Sequence, residues 1–394
     1  MAASETLKTL TALANSPPEI FKDEDRLAAL AACTKLQERL ESPLETFLRF
    51  MFGGLQGMVL RVGVETKILQ KAVEAKGPIE IVQLAASTSA DPDLVRRIVR
   101  ILAAMKLFEE TGEDVYLATP LAGAFVAPSP LESAVLHIGS SLPTVASIPE
   151  YLAEKGYHNP NDAFDGPWQY TNRTNDHYFD WVAKRPVLQQ AFNTVMTISR
   201  MERGEEWFEF FPVKDRLKVR SPDDTLLVDI GGGVGHDAIA FKKHFPDLPG
   251  RLIVEDLPVV IADAKDMPDG IELLGHSFFN EQPQLVHKAR AYYLRTVLHD
   301  WPDKQARVIL ENIRNVMAKE SILLINENSL PAAEVPLYPA QLDILMMACF
   351  SSLDRTEKQF AQLLDSAGFE LVHVWRPKVM LPGTGVLFEA VMKG

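Results

Sequence analysis

Apolar and polar positions follow three different rhythms along the chain. Up to about residue 40 the apolar residues recur at helical spacing, with Leu27, Leu30, Cys33, Leu36 and Leu40 on one stripe. The next stretch, Phe47-Leu-Arg-Phe-Met-Phe-Gly-Gly-Leu-Gln-Gly-Met-Val-Leu60, is apolar on more than one face. Such a helix is covered on several sides, either by its own chain or by a second subunit. From 78 to 126 the pattern becomes compact. A short helix opens at Ile79-Glu-Ile-Val-Gln-Leu-Ala85. Asp91 then caps a second helix with Pro92 in its first turn, and Leu94, Ile98, Ile101, Leu102 and Met105 form its apolar face. Leu107-Phe-Glu-Glu and Val115-Tyr-Leu flank Thr111-Gly-Glu-Asp114, the pattern of a β-hairpin. Helix, helix, hairpin is a winged-helix arrangement. Residues 130–220 read as helical, interrupted by the Pro-, Asn- and Gly-rich run Tyr157–Pro167.

After residue 225 the rhythm alternates between strand and helix. Strands are expected at 225–230, 251–254, 271–274, 291–298 and 321–326, with helices at 237–245, 259–265, 303–318 and 340–350. This alternation predicts an α/β fold with a doubly wound, mostly parallel sheet. Thr356 with Gln359 is a capping-box pair that starts one more helix. Strands at 370–375 and 386–392 then pair as an antiparallel hairpin at the sheet edge. The expected organisation is a helical winged-helix dimerisation domain (1–130), a helical connector contributing to a substrate pocket (131–220) and a cofactor-binding sheet domain (221–394).

Composition narrows the function classes. The chain has 394 residues, 47% apolar and 24% charged, enough for two real cores in a soluble protein. A formal net charge of -13 argues against a nucleic-acid partner, which needs clustered Lys and Arg, and against an anionic membrane surface. Asp91, Asp93, Glu109, Glu110, Glu113 and Asp114 surround the parts of a winged helix that would face DNA, so a structural or dimerising role is expected. No run approaches about 18 uninterrupted apolar residues, and no membrane span is expected. The two cysteines, Cys33 and Cys349, have neither metal nor disulfide-framework spacing. Together with an N-terminus lacking a basic and then apolar leader, they lead to the expectation of a cytoplasmic protein without a metal site.

The candidate chemistry begins at Leu226-Leu-Val-Asp-Ile-Gly-Gly-Gly-Val-Gly-His236. A buried strand feeds a glycine turn, where positive φ is free and no side chain blocks a ligand. In Val254-Glu-Asp-Leu-Pro258 a carboxylate ends the next strand about 25 residues on, where it can accept hydrogen bonds from ribose hydroxyls. Enzymes that use NAD and enzymes that use S-adenosylmethionine share this logic. Asp229 ahead of the glycines, and a helical region ahead of the sheet, favour S-adenosylmethionine.

Taken jointly, LVDIGGGVG (227–235), VEDLP (254–258), YYLRTVLHDWPD (292–303), NENSLP (326–331) and LDRTEKQF (353–360) resemble the plant-type, caffeic acid O-methyltransferase-like class of small-molecule O-methyltransferases, in its fungal branch. The resemblance spans residues 45–393. It implies an S-adenosylmethionine-dependent enzyme, a homodimer through the N-terminal domain, and an acceptor of polyketide, alkaloid or phenolic type. It makes His299, at a strand's C-terminal end, the general base, with Glu327 and Asp354 beside it. Asp354 stands where the family usually has Glu. It assigns the cofactor to Asp229, Gly231, Gly232, Gly233, Asp256, Leu257, Ser277, Phe278 and Arg295. Ser277 replaces an Asp that in the family accepts from the adenine amino group, so weaker adenine recognition or a shifted contact is expected. The acceptor pocket is expected to draw on Met346 and Met347, flexible and polarisable, on Phe192 and Met196 opposite them, and on His137. A rival reading comes from relatives that use the bound cofactor's positive charge for dehydration and pericyclic ring closure without moving its methyl. In that reading Arg295, His137 and His299 act electrostatically.

Overall fold

The computed structural model describes residues 2–16, 22–201, 204–265, 267–379 and 385–394. Helices Ala2–Ala14 and Asp23–Leu40 lead the chain. The second forms where the leucine spacing predicts it, but Leu27, Leu30 and Leu40 stay exposed rather than entering a core. Helix Pro43–Glu65 follows and opens with a capping box. The Ser42 hydroxyl accepts the Glu45 N–H, and the Glu45 carboxylate accepts the Ser42 N–H at 2.7 Å. Only Val59, Gly63 and Val64 of this helix are buried, while Phe47, Phe50, Met51, Phe52 and Leu55 are exposed on the single chain. Among the described residues it is also the one helix long and apolar enough to cross a membrane by length and composition. Counting uninterrupted apolar runs overlooks this, because Arg49 and Gln56 break the run.

The winged-helix pattern is present with two adjustments. Ile79–Glu80 is a short strand, β1, pairing with Tyr116 and Val115, so the helix expected at 79 starts at Ile81. Strands β2 (Phe108–Gly112) and β3 (Val115–Ala118) complete an antiparallel sheet in the order β1-β3-β2. In helix Pro92–Ala104, the Asp91 carboxylate accepts the N–H groups of Asp93 and Leu94 at 2.9 and 3.0 Å. Its buried stripe is Val95, Ile98, Val99 and Leu102, and the expected Leu94 and Ile101 are exposed. The true stripe follows the i, i+3, i+4, i+7 rule, and two valines hidden between arginines supply it.

The C-terminal half forms one seven-stranded sheet in the order β6-β5-β4-β7-β8-β10-β9. Its strands are β4 (Thr225–Ile230), β5 (Arg251–Asp256), β6 (Ile271–Gly275), β7 (Ala291–Arg295), β8 (Ile322–Glu327), β9 (Phe369–Trp375) and β10 (Val386–Met392). Strands β4 to β8 run parallel, and β10 lies antiparallel between β8 and β9. Both faces are covered. One core contains Val228, Ile253, Leu294, Ile309, Leu323, Phe360 and Phe388, and the other Trp207, Leu227, Phe241, Val254, Tyr293 and Leu324. Burial on both faces is why these strands read as apolar runs rather than alternating patterns. Strand β7 ends at Arg295, short of 298. Thr296 adopts a φ of 46° and Leu298–Asp300 wind into a 3-10 turn. Helices at 258–261 and 303–314 are also shorter than expected. The strand order reverses between β4 and β7, which opens a crevice at their C-terminal ends, where doubly wound sheets bind ligands.

The capping box at Thr356 holds helix Glu357–Ser366 against the sheet through Phe360, Leu363 and Leu364. Thr356→Ala should cost about 1 kcal/mol. The expected outcome is a lower urea midpoint with an unchanged slope in equilibrium unfolding.

Candidate active site

The glycine turn after β4 has φ values of 70°, 62° and 85° at Gly231, Gly233 and Gly235, a left-handed conformation that side chains rarely adopt. The Gly231 and Gly232 N–H groups donate to the Glu255 carbonyl at 2.8 and 3.1 Å. The Gly233 N–H donates to Asp256 Oδ2 at 2.8 Å, and the Leu257 N–H to Asp256 Oδ1 at 2.7 Å. These two hydrogen bonds fix the carboxylate of Asp256 at the turn, where it is orientated as an acceptor suited to a pair of vicinal hydroxyls. Asp229 is buried below the turn. The Phe278 ring stands beside Gly231, 3.7 Å from where a Cβ on that glycine would be. It offers a flat apolar wall for an adenine. Ser277 is half-buried, and its carbonyl accepts the Asn280 N–H at 2.9 Å. These residues fit the nucleoside and amino-acid ends of S-adenosylmethionine, which they would hold between β4 and β6. Arg295 lies apart from them in its contacts. Its guanidinium is 3.0 Å from Asp237 and 3.4 Å from Glu206, in a network where the Tyr293 hydroxyl donates to Asp237 at 3.0 Å. Burial opposes the charge, but the neighbouring acids keep Arg295 protonated well above its usual range.

Across the crevice, the turn after β7 carries His299. Its Nε2 is 3.4 Å from Asp300 Oδ1 and its Nδ1 3.8 Å from Asp354 Oδ1. Glu327, at the end of β8, does its hydrogen bonding to the turn itself. Its Oε1 accepts the Val297 and Leu298 N–H groups at 2.9 and 2.8 Å. Burial pulls the imidazole down, but Asp300, Asp354 and Glu327 outweigh it and raise His299 to about 10. Burial raises Asp300 to about 6, against the pull of His299, and raises Glu327 as well.

Two supports of this turn have no local signature in the sequence. Arg355 is fully buried and donates to the carbonyls of Leu298 (2.7 Å) and Trp301 (2.8 Å) while gripping Asp303 at 2.7 Å. The Ser352 hydroxyl donates to the His299 carbonyl at 2.5 Å. Asp300 was equally missed. Its only signal is adjacency to His299.

The expected acceptor side comes together in part. The Phe192 and His137 rings lie 5.3 Å apart, and the Tyr178 hydroxyl is 3.3 Å from His137 Nδ1. Burial lowers His137 to about 4, so the ring is neutral. Met346 is buried in the same cluster with Trp168, Tyr178, Cys349 and Phe350, and Met347 is half-buried beside it. Met196 is exposed and outside that cluster. His177, also missed, stacks on Trp301 at 4.5 Å and is lowered to about 4 by burial. The aromatic wall of Tyr178, Phe179 and Phe350 belongs to no motif.

Residues 213–370 match the O-methyltransferase domain, and residues 48–128 match the O-methyltransferase dimerisation domain. The demethylsterigmatocystin 6-O-methyltransferase of Aspergillus flavus is 34% identical over 339 residues, covering 86% of both chains. Among solved structures, LepI in complex with SAM superposes with a TM-score of 0.80 at 28% identity, covering 99% of this chain and 100% of that one. OxaC in complex with sinefungin and meleagrin superposes with a TM-score of 0.81 at 25% identity, covering 99% and 98%. A further neighbour, described as a pericyclic reaction enzyme, superposes at 0.79 with 28% identity over 99% and 100%. With a dimerisation domain ahead of an O-methyltransferase domain, and a relative 34% identical over 86% of its length, this chain belongs to the S-adenosylmethionine-dependent O-methyltransferases.

Proposed function

We propose that the enzyme methylates a phenolic or enolic hydroxyl of a small secondary metabolite of polyketide, alkaloid or phenolic type, with His299 as general base. The observation that carries this reading is the imidazole set among Asp300, Asp354 and Glu327 at the sheet edge, on the turn whose Val297 lies against Gly231. S-adenosylmethionine, when bound, supplies a methyl already activated by its sulfonium. The chain's own residues must then align the acceptor oxygen and take its proton. A phenol titrates near about 10, and the carboxylates bring His299 to the same range. Phe179, Phe192, Phe350 and Met346 supply the apolar faces a flat ring needs. Asp229, Gly231 to Gly233, Asp256, Leu257, Ser277 and Phe278 are proposed to seat the cofactor. Arg295 supports that seat indirectly, through Asp237 in the first turn of helix His236–His244.

The rival reading, in which the bound cofactor is an electrostatic group and no methyl moves, draws on the likeness to a pericyclic reaction enzyme and on Ser277. It is disfavoured by His299 standing among acids and by Arg295 already being answered by Asp237 and Glu206. The N-terminal face is proposed to close a homodimer. The exposed Phe47, Phe50, Met51 and Phe52 lie on or next to the segment that matches the dimerisation domain. A partner subunit covers this face better than a lipid bilayer, because the helix carries Arg49, paired with Glu41 just before it, and Arg61, paired with Glu65. With a net charge of -13, neither nucleic acid nor an anionic membrane is a partner, and the proposed location is the cytoplasm. The proposed division is at about residues 130 and 220.

Incubation with methyl-labelled cofactor and aromatic acceptors should put label into product. Product formed without label or S-adenosylhomocysteine would establish the rival. His299→Ala should lower kcat about a hundredfold or more while leaving the cofactor dissociation constant, measured by calorimetry, near wild type. Because His299 must be neutral to accept a proton, and its neighbours hold it protonated, kcat/KM for the acceptor should climb as pH rises from neutral. Asp354→Asn removes one stabilising anion, so this rising limb should move to lower pH. In light scattering after size-exclusion chromatography the wild type should run at twice the chain mass, and Phe50→Glu with Phe52→Glu should run at the chain mass.

A further inference from the structure

The proposed methyl-transfer chemistry leaves the buried carboxyl of Glu255 unused. Glu255 precedes Asp256 on β5 and is 1% exposed. Its Oε1 accepts a hydrogen bond from Gln282 Nε2 at 2.9 Å, and Gln282 is 5% exposed. Among the described residues, the other two oxygens of the pair, Glu255 Oε2 and Gln282 Oε1, are buried and meet no hydrogen-bond partner. The charged and titratable groups acting on Glu255 are Asp256 on its own strand and Tyr292 on β7. His287, from the loop before β7, reaches the Gln282 carbonyl at 3.1 Å. An ionised carboxylate in this place needs a countercharge, and Asp256 beside it is an anion. A carboxylic acid needs only an acceptor, which Gln282 Oε1 provides. A single proton therefore answers both oxygens.

We propose that Glu255 is a neutral carboxylic acid joined to the Gln282 amide in a cyclic pair, and that this pair is a positioning element for the cofactor. The proposal rests on the reading of the glycine turn as the S-adenosylmethionine seat. Glu255 and Asp256 hold both walls of that seat. Toward the glycine turn, the Glu255 carbonyl takes the Gly231 and Gly232 N–H groups and the Asp256 carboxylate takes that of Gly233. Toward the adenine-side loop, the Asp256 carbonyl takes the His276 N–H at 2.8 Å, and the Glu255 side chain takes Gln282. The loop between those two anchors carries Ser277 and Phe278, and its one acid, Glu281, is exposed. Asn312 holds the middle of the loop, donating to the Phe278 carbonyl at 3.0 Å, and the two anchors fix its ends. Burial, with Asp256 adding to it, raises Glu255 to about 7. The pair is thus intact below that pH and lost as pH rises through it. Ionisation removes the O–H donor and adds a second negative charge beside Asp256, so the cofactor binds the protonated form more tightly and takes up a proton on binding at alkaline pH.

The test uses the full-length enzyme and S-adenosylhomocysteine in calorimetry at about pH 6 and about pH 8.5, on either side of the Glu255 titration. Wild-type affinity should fall several-fold between the two, beyond any change the ligand's own amino group causes. Glu255→Gln keeps the pair as amide with amide, so it should show only the ligand's own dependence. Gln282→Leu should bind weakly at both. Infrared difference spectra should show a protonated-carboxyl band in the wild type at the lower pH that is missing from Glu255→Gln. A tenfold loss of affinity in Glu255→Gln at the lower pH would overturn the proposal, as would identical pH dependence in wild type and Glu255→Gln or the absence of that band. A wild type that binds at neither pH would sink the cofactor seat and the positioning role with it, whereas the infrared band reports the acid–amide pair independently.

Discussion

Everything at the candidate site depends on the backbone turn from Val297 to Trp301 being pinned on both sides. Glu327 holds its two leading N–H groups, Arg355 holds the carbonyls of Leu298 and Trp301, and Ser352 holds that of His299. A 3-10 turn of this length has no internal ladder to make it rigid. Charge-assisted hydrogen bonds from buried groups supply the rigidity instead. The Asp354–Arg355 dipeptide is economical in this respect. One side chain faces the imidazole and the next grips the backbone that presents it, so ring and turn share one register.

Crowding carboxylates around His299 has an electrostatic cost that the fold meets by division of labour. Asp300 and Asp354 face the two ring nitrogens, while Glu327 spends its hydrogen bonds on the backbone. On the other wall Arg295 is shared by Asp237 and Glu206, and Asp229 and Asp256 stand at the glycine turn. Carboxyl groups therefore outnumber basic groups on both walls, a field that would favour a sulfonium cation held between them.

Much of the fold was legible because strands covered on both faces read as apolar runs broken by glycine and proline, and because caps such as Asp91 and Thr356 act locally. The errors have physical causes. Residues 296–298 are good strand formers, yet the strand stops at Arg295 because Glu327 captures the N–H groups that would have continued the ladder. The inner face of helix Pro92–Ala104 was misjudged by one position because Val95 and Val99 hide among arginines. That His299 and Asp354 lie together, and that Asp256 stands at the glycine turn, was legible from motifs. The burial of Arg355, inside one of those motifs, and the positions of Tyr178 and His177 were not, since a buried arginine answering carbonyls from another element, or an aromatic wall assembled from distant helices, has no signature in its own neighbours.

The position of β10 ties the site to the order of synthesis. This strand, made well after β8, inserts between β8 and β9 and is what converts β8 from an edge strand to an interior one. Until residues 386–392 have left the ribosome, the strand that ends in Glu327 has one free side, and the turn that Glu327 pins has an unfinished foundation. The parallel half of the sheet, with its glycine turn, can assemble while the chain is still being made. The glycine turn thus rests on strands that precede β8 in the chain, whereas the turn that carries His299 has a foundation completed only by β10.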